Sequence, residues 1–261
     1  MWFLNSVLTP ILTAIPMVIA IAFIMFHNFP WLYRFKRIKI HSMFLEGSIV
    51  IVSDIHIGSK NSYYFIFKKF LRRIDYDVVI VAGDFIDKRI EFGKNAIDYL
   101  KTAIKALDIK RGKIIYIVST ASHDIDRYFE NIMSLSIDGV EVYIASGVVE
   151  VIIGKCRNRV YISHGEYISR DGVTAYILDK IFNKLFKRSI TALLMRRALG
   201  VDEYQWVFTG HSHILSIDTL YRIANTGSWD ERLYAKAYPG IGIVKCIDGK
   251  LYVKLIKLSI R

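Results

Sequence analysis

Cysteine and acidic residues are scarce in this chain of 261 residues. The two cysteines, Cys156 and Cys246, lie far apart and lack the paired spacing of a zinc site, so we expect ordinary core thiols in a reducing compartment. With 24 Asp and Glu against 36 Lys and Arg, the formal net charge is +12. This excess favours anionic partners such as nucleic acid, nucleotides or an acidic lipid surface.

Charge is missing altogether from the start of the chain. Residues 1–33 carry no charged side chain, and residues 7–26 are apolar apart from two threonines and two prolines, a length that suits a bilayer core. Trp31 and Tyr33 would lie in the interfacial belt, before four basic residues within 34–39. The sequence predicts a transmembrane anchor over 1–33, a basic juxtamembrane linker over 34–47 and a cytoplasmic domain over 48–261.

Two other interpretations of the apolar segment fit less well. A cleaved signal peptide needs positive charge before the apolar run and a small-residue cleavage site after it, and neither is present. A buried core helix is disfavoured by Pro10 and Pro16, which membrane helices tolerate better. We therefore expect a single-pass membrane protein.

Internal repeats and low-complexity linkers are also absent, and the remaining chain is long enough for one sizeable core. Apolar runs predict strands at 49–52, 78–82, 114–118, 160–162 and 206–208. Helices are expected at 63–73, 94–107, 125–135 and 173–199, and strands dominate from 214 onward. This alternation predicts a layered α/β domain.

Five of the seven histidines lie in short clusters that directly follow these predicted strands. The clusters are Asp54-Ile55-His56, Gly83-Asp84-Phe85-Ile86-Asp87, Ser122-His123-Asp124, His164-Gly165 and Gly210-His211-Ser212-His213. Because they follow strand ends, their side chains are expected to converge. So many imidazoles and carboxylates in one place predict a metal site.

Two cations held in this way suit phosphate chemistry. A phosphate ester resists attack because its oxygens repel a nucleophile, and two cations about 4 Å apart neutralise that charge and activate water. Asp54 and His56 are two residues apart, so on a strand they would point to the same side. Asp84 follows the permissive Gly83 and could bridge both cations with its two oxygens.

The order of these motifs resembles that of the calcineurin-like metallophosphoesterases. That family has the pattern Asp-X-His, Gly-Asp-X-X-Asp, Gly-Asn-His-Asp/Glu, His and Gly-His-X-His, and the resemblance covers residues 48 to about 230. It implies a four-layer αββα sandwich with the metals above the central strands. One metal would be held by Asp54, His56, Asp84 and His213, and the other by Asp84, Ser122, His164 and His211.

The resemblance also implies catalytic residues. The general acid falls on His123, with Asp87 as the carboxylate that orients its ring. Lys88, Arg89 and Asn225 are candidates for substrate binding. Ligands without thiolate fit two ions of Mn²⁺, Fe, Ni or Zn²⁺, and we favour Mn²⁺.

Ser122 departs from the family pattern, because relatives carry Asn there after a Gly that is Ala121 here. The second metal would lose a carbonyl oxygen and gain only a hydroxyl. Either Ser122 is a tolerated ligand and catalysis is intact, or it marks decay into a phosphoesterase-like binding module. Retention of the other ligands favours an active enzyme.

The substrate prediction depends on the helical insertion at about 167–204. Its amphipathic pattern fits a helix packed on the core with a basic solvated face, or a cap that also touches anionic membrane. With His164-Gly165-Glu166 and Asn225-Thr226-Gly227-Ser228-Trp229, it is most similar to the UDP-2,3-diacylglucosamine pyrophosphatases. Those relatives cleave a pyrophosphate in a nucleotide-linked lipid at the membrane surface.

A nuclease is the chief alternative. Residues 53–60 also resemble the opening motif of archaeal DNA-repair nucleases and of the small subunit of archaeal family D polymerase. A membrane anchor is an awkward place for DNA work, and the chain lacks room for the accessory domains of those proteins. A phosphoprotein phosphatase of the same superfamily is a further alternative.

Overall fold

The computed structural model describes residue 16, residues 38–120 and residues 123–260. The strands are β1 (Ile40–Leu45), β2 (Ile49–Val52), β3 (Val78–Ala82), β4 (Arg89–Glu91), β5 (Lys113–Val118), β6 (Asp124–Asp126), β7 (Met133–Ile137), β8 (Val140–Ser146), β9 (Val148–Ile153), β10 (Asn158–Ser163), β11 (Trp206–Thr209), β12 (Ser216–Asp218), β13 (Ile223–Asn225), β14 (Gly227–Ser228), β15 (Tyr238–Ile247) and β16 (Lys250–Lys257). The helices are α1 (Tyr64–Leu71), α2 (Lys94–Leu107), α3 (Gly172–Phe186) and α4 (Ile190–Leu199).

These strands form two large sheets and one small one. The first sheet has the order β1-β9-β10-β11-β13-β12, and the second has the order β14-β15-β2-β3-β5-β8-β7, with β16 paired to β15. Strands β4 and β6 form a separate pair. In the second sheet β2, β3, β5 and β8 run parallel to one another, so their carboxyl ends meet at one edge.

The alternate side chains of each sheet face different layers. Ile51 of β2 and Phe208 of β11 belong to one apolar cluster between the two sheets. On the outer face of the second sheet, Val79 packs with Leu100 of α2. On the outer face of the first sheet, Val207 packs with Met195 of α4. The order helix, sheet, sheet, helix confirms the predicted mixed α/β fold.

The five strands and the first two helices lie where the sequence predicts them, but the helix expected at 125–135 is wrong. This stretch contains β6, a connection and β7 instead. Ile125, Phe129 and Ile132 have helix-like spacing, whereas Met133, Leu135 and Ile137 alternate with serines, as in a strand. Pairing of β7 with β8 determines the outcome.

The single helix expected at 173–199 is also wrong, because two helices occupy it. Helix α3 ends at Lys187, which adopts a left-handed conformation with φ of 57°. Ser189 then caps α4 by accepting a hydrogen bond from the amide of Ala192. The break turns α4 onto the sheet while α3 remains largely exposed.

The expectation of free thiols is contradicted, because Cys156 and Cys246 form a disulfide. Cys156 ends a short 3₁₀ turn after β9, and Cys246 lies in β15 of the other sheet. Their Cα atoms are 5.8 Å apart although 90 residues separate them in sequence. Packing of one sheet on the other brings them together, which their spacing in the chain does not reveal.

The predicted membrane anchor at 1–33 lies outside the described residues, apart from Pro16. Among residues 38–120 and 123–260, no helix has the length and apolar character needed to cross a bilayer. The anchor therefore stays a prediction from sequence.

Candidate metal centre

The chain turns sharply where it leaves the strands at the carboxyl edge. Five non-glycine residues there adopt left-handed backbone conformations: Asp54 (φ 51°), His56 (52°), Asp84 (48°), His211 (67°) and His213 (58°). Each such residue costs roughly 1–2 kcal/mol, and such strain tends to concentrate at functional sites. All five are among the predicted metal ligands.

Two glycines allow these turns to approach one another. A Cβ atom on Gly83 would lie 2.3 Å from Cγ of His164, and one on Gly210 would lie 2.4 Å from Oδ2 of Asp54. Neither distance is possible for a real side chain. The glycines in the Gly-Asp and Gly-His motifs are therefore required by contact between the motifs.

The first predicted ligand set comes together in one buried cluster. Asp54, His56, Asp84 and His213 each offer one ligand atom, and these atoms all lie within 4.8 Å of one another. Nε2 of His213 is 3.2 Å from Oδ1 of Asp54, and Nε2 of His56 is 3.6 Å from Oδ2 of Asp84. The distances suit a shared cation in the middle.

The second predicted set adjoins the first through Asp84. Nε2 of His164 is 3.6 Å from Oδ1 of Asp84 and 3.1 Å from Nδ1 of His211. The other ring nitrogens face backbone carbonyls: Nδ1 of His164 is 2.9 Å from the oxygen of Ala82, and Nε2 of His211 is 2.7 Å from that of Ser169. When each donates its proton to that carbonyl, two lone pairs face each other.

Several buried polar atoms in this cluster have no hydrogen-bond partner. They are Nε2 of His56, Oδ1 of Asp84 and Nδ1 of His213. Leaving a buried polar atom unsatisfied is costly, so such atoms call for an explanation. Carboxylate and imidazole groups that converge without partners fit divalent cations, which the sequence predicts here.

The electrostatics of the centre keep its carboxylates ionised. Burial alone would raise the pKa of Asp54, but its hydrogen bond to His213 and the neighbouring imidazoles hold it well below its usual range. Burial likewise opposes the lowered pKa of Asp84, which His164 and His56 produce. Both side chains are therefore anionic, as metal ligands must be.

The two facing imidazoles have opposite pKa shifts. Burial would lower the pKa of His164, but Asp84 and Asp54 raise it to about 9. Burial and the adjacent His164 lower the pKa of His211 to about 4. One positive charge is therefore stabilised between the two rings, where the carboxylate of Asp84 adjoins them.

Asp87 contacts three partners at the edge of the centre. Its Oδ1 lies 3.2 Å from Nδ1 of His56, 2.5 Å from Nη2 of Arg232 and 3.7 Å from Nδ1 of His123. Burial would raise the pKa of Asp87, but His56 and Arg232 lower it to about 2. Burial lowers the pKa of His123, and Asp84 and Asp87 only partly offset this. Asp87 therefore orients His56 more closely than His123.

Arg232 belongs to this site although no sequence motif predicts it. Its Nη2 lies 3.0 Å from Nδ1 of His56, and its Nε pairs with Asp230 at 2.6 Å. It lies in the connection between β14 and β15. Because β15 pairs with β2 in the second sheet, this connection passes close to the metal centre. The one sequence signal for its role is its position three residues after the 225–229 segment, which carries part of the family resemblance.

Asp124 and Glu166 support the centre from behind. Asp124 is fully buried and accepts hydrogen bonds from the amides of Asp84, Ile86 and Ser119. Burial and the charge of Asp84 raise the pKa of Asp124 to about 7. Glu166 accepts from the Ser119 hydroxyl and the Thr120 amide. These contacts fix the strand ends on which the ligands lie.

Asn225 lies away from the surface and holds the Gly-His-Ser-His segment in place. Its Nδ2 donates to the carbonyl of Gly210 at 2.8 Å and to Oγ of Ser212 at 3.0 Å. Ser212 in turn donates to Asp179 of α3. The amide of Asn225 is thus engaged within the protein, and its predicted role in substrate binding stays a prediction.

Of the remaining predicted residues, two are exposed and one lies outside the described part of the chain. Lys88 donates to Tyr99 of α2 at 3.2 Å, and Arg89 forms an exposed ion pair with Asp126. Ser122 lies outside the described residues, so its role as a ligand stays a prediction. Both basic side chains are therefore paired outside the buried ligand cluster.

A buried set of carboxylates and imidazoles, at the edge of parallel strands between two sheets, defines a metal-dependent hydrolase site of the metallophosphoesterase type. A family comparison agrees: residues 47–215 match the calcineurin-like phosphoesterases. The chain belongs to that family, and it is a hydrolase that acts on phosphate esters.

Solved structures resemble the chain distantly. A single mutant of Vps29 from Entamoeba histolytica is 14% identical with a TM-score of 0.41, covering 82% of this chain and 100% of that one. A predicted phosphoesterase from Streptococcus pneumoniae is 14% identical with a TM-score of 0.36, covering 80% and 88%. An archaeal phosphodiesterase is 17% identical with a TM-score of 0.35, covering 81% and 100%. No curated protein matches significantly.

Proposed function

We propose that this protein uses two divalent cations to hydrolyse a phosphodiester or pyrophosphate bond in a nucleotide-linked lipid or a similar substrate at a membrane surface. The observation that carries the chemistry is the convergence of buried ligand atoms without partners, among them Nε2 of His56 and Oδ1 of Asp84. Bound cations would neutralise phosphate charge and lower the pKa of water.

The ligand sets follow from the distances. Asp54, His56, Asp84 and His213 would hold one cation, and Asp84, His164 and His211 would hold the other, with Ser122 as a further candidate. Asp84 would be shared because each of its oxygens faces a different imidazole. Retention of these buried groups supports an active centre over a decayed binding module.

Two side chains at the rim would act on the substrate. Arg232 has a side chain 26% exposed and can donate to a phosphate oxygen as a planar, permanently charged group. His123 has a side chain 27% exposed and can hydrogen-bond the leaving oxygen. Arg232 would donate from Nη1, because its Nε and Nη2 already pair with Asp230 and Asp87. Lys88 and Arg89 contact other side chains.

A membrane location suits the exposed face of α3. Four apolar side chains at four-residue intervals are 39–65% exposed: Val173, Ile177, Ile181 and Leu185. Lysines border this stripe at Lys180, Lys184 and Lys187. An apolar stripe edged by lysines matches the interface of an anionic bilayer. The uncharged residues 1–33, followed by basic residues, support a single-pass anchor with the domain in the cytoplasm.

Competing substrates would test the proposal. The full chain loaded with Mn²⁺ should release uridine monophosphate from vesicle-borne UDP-2,3-diacylglucosamine faster than it degrades single-stranded DNA. Leu185→Asp should slow the vesicle reaction but leave hydrolysis of soluble bis(4-nitrophenyl) phosphate unchanged, and Leu220→Asp, a 78% exposed control outside α3, should change neither. If the protein degrades single-stranded DNA faster than it hydrolyses the lipid, the proposed lipid substrate is wrong and nucleic acid is the substrate.

A further inference from the structure

A large cavity lies beside the metal centre, between α3 and the connection from β14 to β15. Its volume is about 810 Å³. Arg232 lines it and also contacts His56, and Tyr234 lines it with a ring 6.2 Å from that of His213. The cavity therefore begins where the metal centre ends.

Lysines dominate its walls. The five that line it are Lys180, Lys184, Lys187, Lys236 and Lys257. Lys180 and Lys184 are four residues apart and share one face of α3, and Lys187 follows as its left-handed C-terminal cap. Lys236 and Lys257 come from the opposite side, in the β14–β15 connection and in β16. Three separate segments thus bring ammonium groups to one space.

These lysines lack acidic partners within the described part of the chain. None of the five forms an ion pair with a carboxylate there. Eleven other ion pairs in the described residues join Lys or Arg to Asp or Glu, two of them at Arg232. Lys180 and Lys257 lie over the rings of Tyr176 and Tyr238. The one carboxylate in the lining, Glu231, accepts a hydrogen bond from Tyr63.

Unpaired ammonium groups around a common space repel one another, and an anion placed among them relieves that repulsion. Tyr176, Tyr234 and Tyr238 add aromatic surface to the same walls. An apolar chain would leave the lysines uncompensated, and a single carboxylate would neutralise only part of their charge. Phosphate groups carry enough charge to interact with several lysines at once.

We propose that this cavity binds a second anionic group of the substrate, a phosphate or pyrophosphate group joined covalently to the phosphate that reacts at the metal centre. The inference rests on the proposed function and narrows it, because it selects substrates with at least two phosphate groups. The second group can belong to a soluble nucleotide or to a lipid headgroup.

Two matched chromogenic substrates test this directly. Thymidine 5′-(4-nitrophenyl phosphate) carries the scissile phosphate alone, and its 3′-phosphorylated form carries one more. In the triple variant Lys184→Gln, Lys187→Gln, Lys236→Gln, KM for the 3′-phosphorylated form should rise about tenfold, the loss expected for charge-assisted contacts. KM for the simpler substrate, and kcat for both, should stay within a factor of two.

A second triple variant controls for net charge. Lys68→Gln, Lys69→Gln, Lys250→Gln removes the same charge from α1 and β16, away from the cavity lining. It should leave both KM values unchanged. Equal KM changes for the two substrates in the cavity variant, or equal effects of the two triple variants, would overturn the proposal.

Binding without catalysis separates this proposal from the proposed function. With excess EDTA, calorimetric titration with inorganic pyrophosphate should show binding to the wild type and at least about tenfold weaker binding to the cavity variant. Such binding without hydrolysis of any substrate would refute the proposed function and leave the cavity assignment intact. Hydrolysis of substrate without pyrophosphate binding would refute the cavity assignment and leave the proposed function intact.

A competition experiment identifies the source of the anionic group. Phosphatidylcholine vesicles with and without phosphatidic acid would be added to the 3′-phosphorylated substrate. Inhibition by phosphatidic acid that the cavity variant loses assigns a lipid headgroup, and inhibition by pyrophosphate alone assigns a soluble nucleotide. No inhibition by either would contradict the proposal.

Discussion

Nε2 of His164 and Nδ1 of His211 lie 3.1 Å apart, and the other nitrogen of each ring is within hydrogen-bond distance of a backbone carbonyl. The carbonyls of Ala82 and Ser169 thus fix both tautomers so that lone pairs meet. Two lone pairs at this distance repel unless a proton or a cation lies between them. A proton held by His164 fills this role when no metal is bound, and a cation bound beside Asp84 would take its place and use both lone pairs.

Replacing one of these rings should remove one cation. His211→Ala should lower the bound metal from two ions to one per chain and reduce kcat by more than about 100-fold, beyond the usual cost of losing an outer-shell partner. Elemental analysis and hydrolysis of bis(4-nitrophenyl) phosphate check this. His41→Ala, in β1 outside the centre, is the control and should keep both ions. Two bound ions in His211→Ala would refute the assignment.

Asp87 should act through His56 and Arg232. Asp87→Asn removes the charge that orients both, so metal affinity should fall roughly 10–100-fold, as for other outer-shell carboxylates. Metal titration measures the change. The matched control Asp126→Asn breaks the exposed pair with Arg89 and should leave affinity unchanged, since such surface pairs contribute little. Equal effects of the two changes would argue against a special role for Asp87.

Gly83 should be required for two reasons: its backbone conformation favours glycine, and a side chain there would meet His164. Gly83→Ala and Gly249→Ala share positive φ of 78° and 73°, so both should lose about 1 kcal/mol of unfolding free energy. A methyl group at position 83 would meet the ring of His164, whereas position 249 is open. Gly83→Ala should therefore lose about 1–3 kcal/mol more unfolding free energy than Gly249→Ala and should bind less metal. Urea unfolding separates the two costs, and equal losses would contradict the contact.

His41 should make stability fall in mild acid. Burial lowers its pKa from 6.5, helped by Lys39, while hydrogen bonds near Ser146 and Phe129 partly oppose the shift. Below pH 6.5 the unfolded chain therefore binds more protons at this site than the folded chain does. The stability from this group is fully present above that pH and decreases as pH falls toward the folded pKa.

Comparison of the wild type with His41→Gln isolates this contribution. With saturating Mn²⁺, urea unfolding between about pH 7.5 and about pH 5.5 should show a steeper loss of free energy in the wild type. His164 and His211 titrate equally in both proteins and cancel. Parallel curves would show that His41 does not contribute.

The sequence predicts the strands and most of the candidate centre because both follow local patterns. The runs that become β2 and β3 are apolar throughout, as buried parallel strands are, and a ligand follows each. Parallel strands necessarily bring Asp54 and Asp84 to the same edge. Their convergence therefore follows from local sequence and strand direction alone.

Other features depend on packing that no local pattern encodes. Arg232 reaches His56 from a position 176 residues later, and Cys156 meets Cys246 only because the two sheets stack. The 125–135 region has mixed periodicity, and only pairing with β8 and β4 makes it extended. In each case the deciding contact comes from a distant segment.

Metal removal and restoration test the central claim most directly. The protein would be stripped with EDTA, dialysed and titrated with Mn²⁺ while bound metal and hydrolysis of bis(4-nitrophenyl) phosphate are measured together. We predict no hydrolysis by the stripped protein, full activity only at two ions per chain, and little activity in Asp84→Asn, which lacks the shared carboxylate. Undiminished hydrolysis after stripping, or full activity with Asp84→Asn, would contradict the two-cation centre.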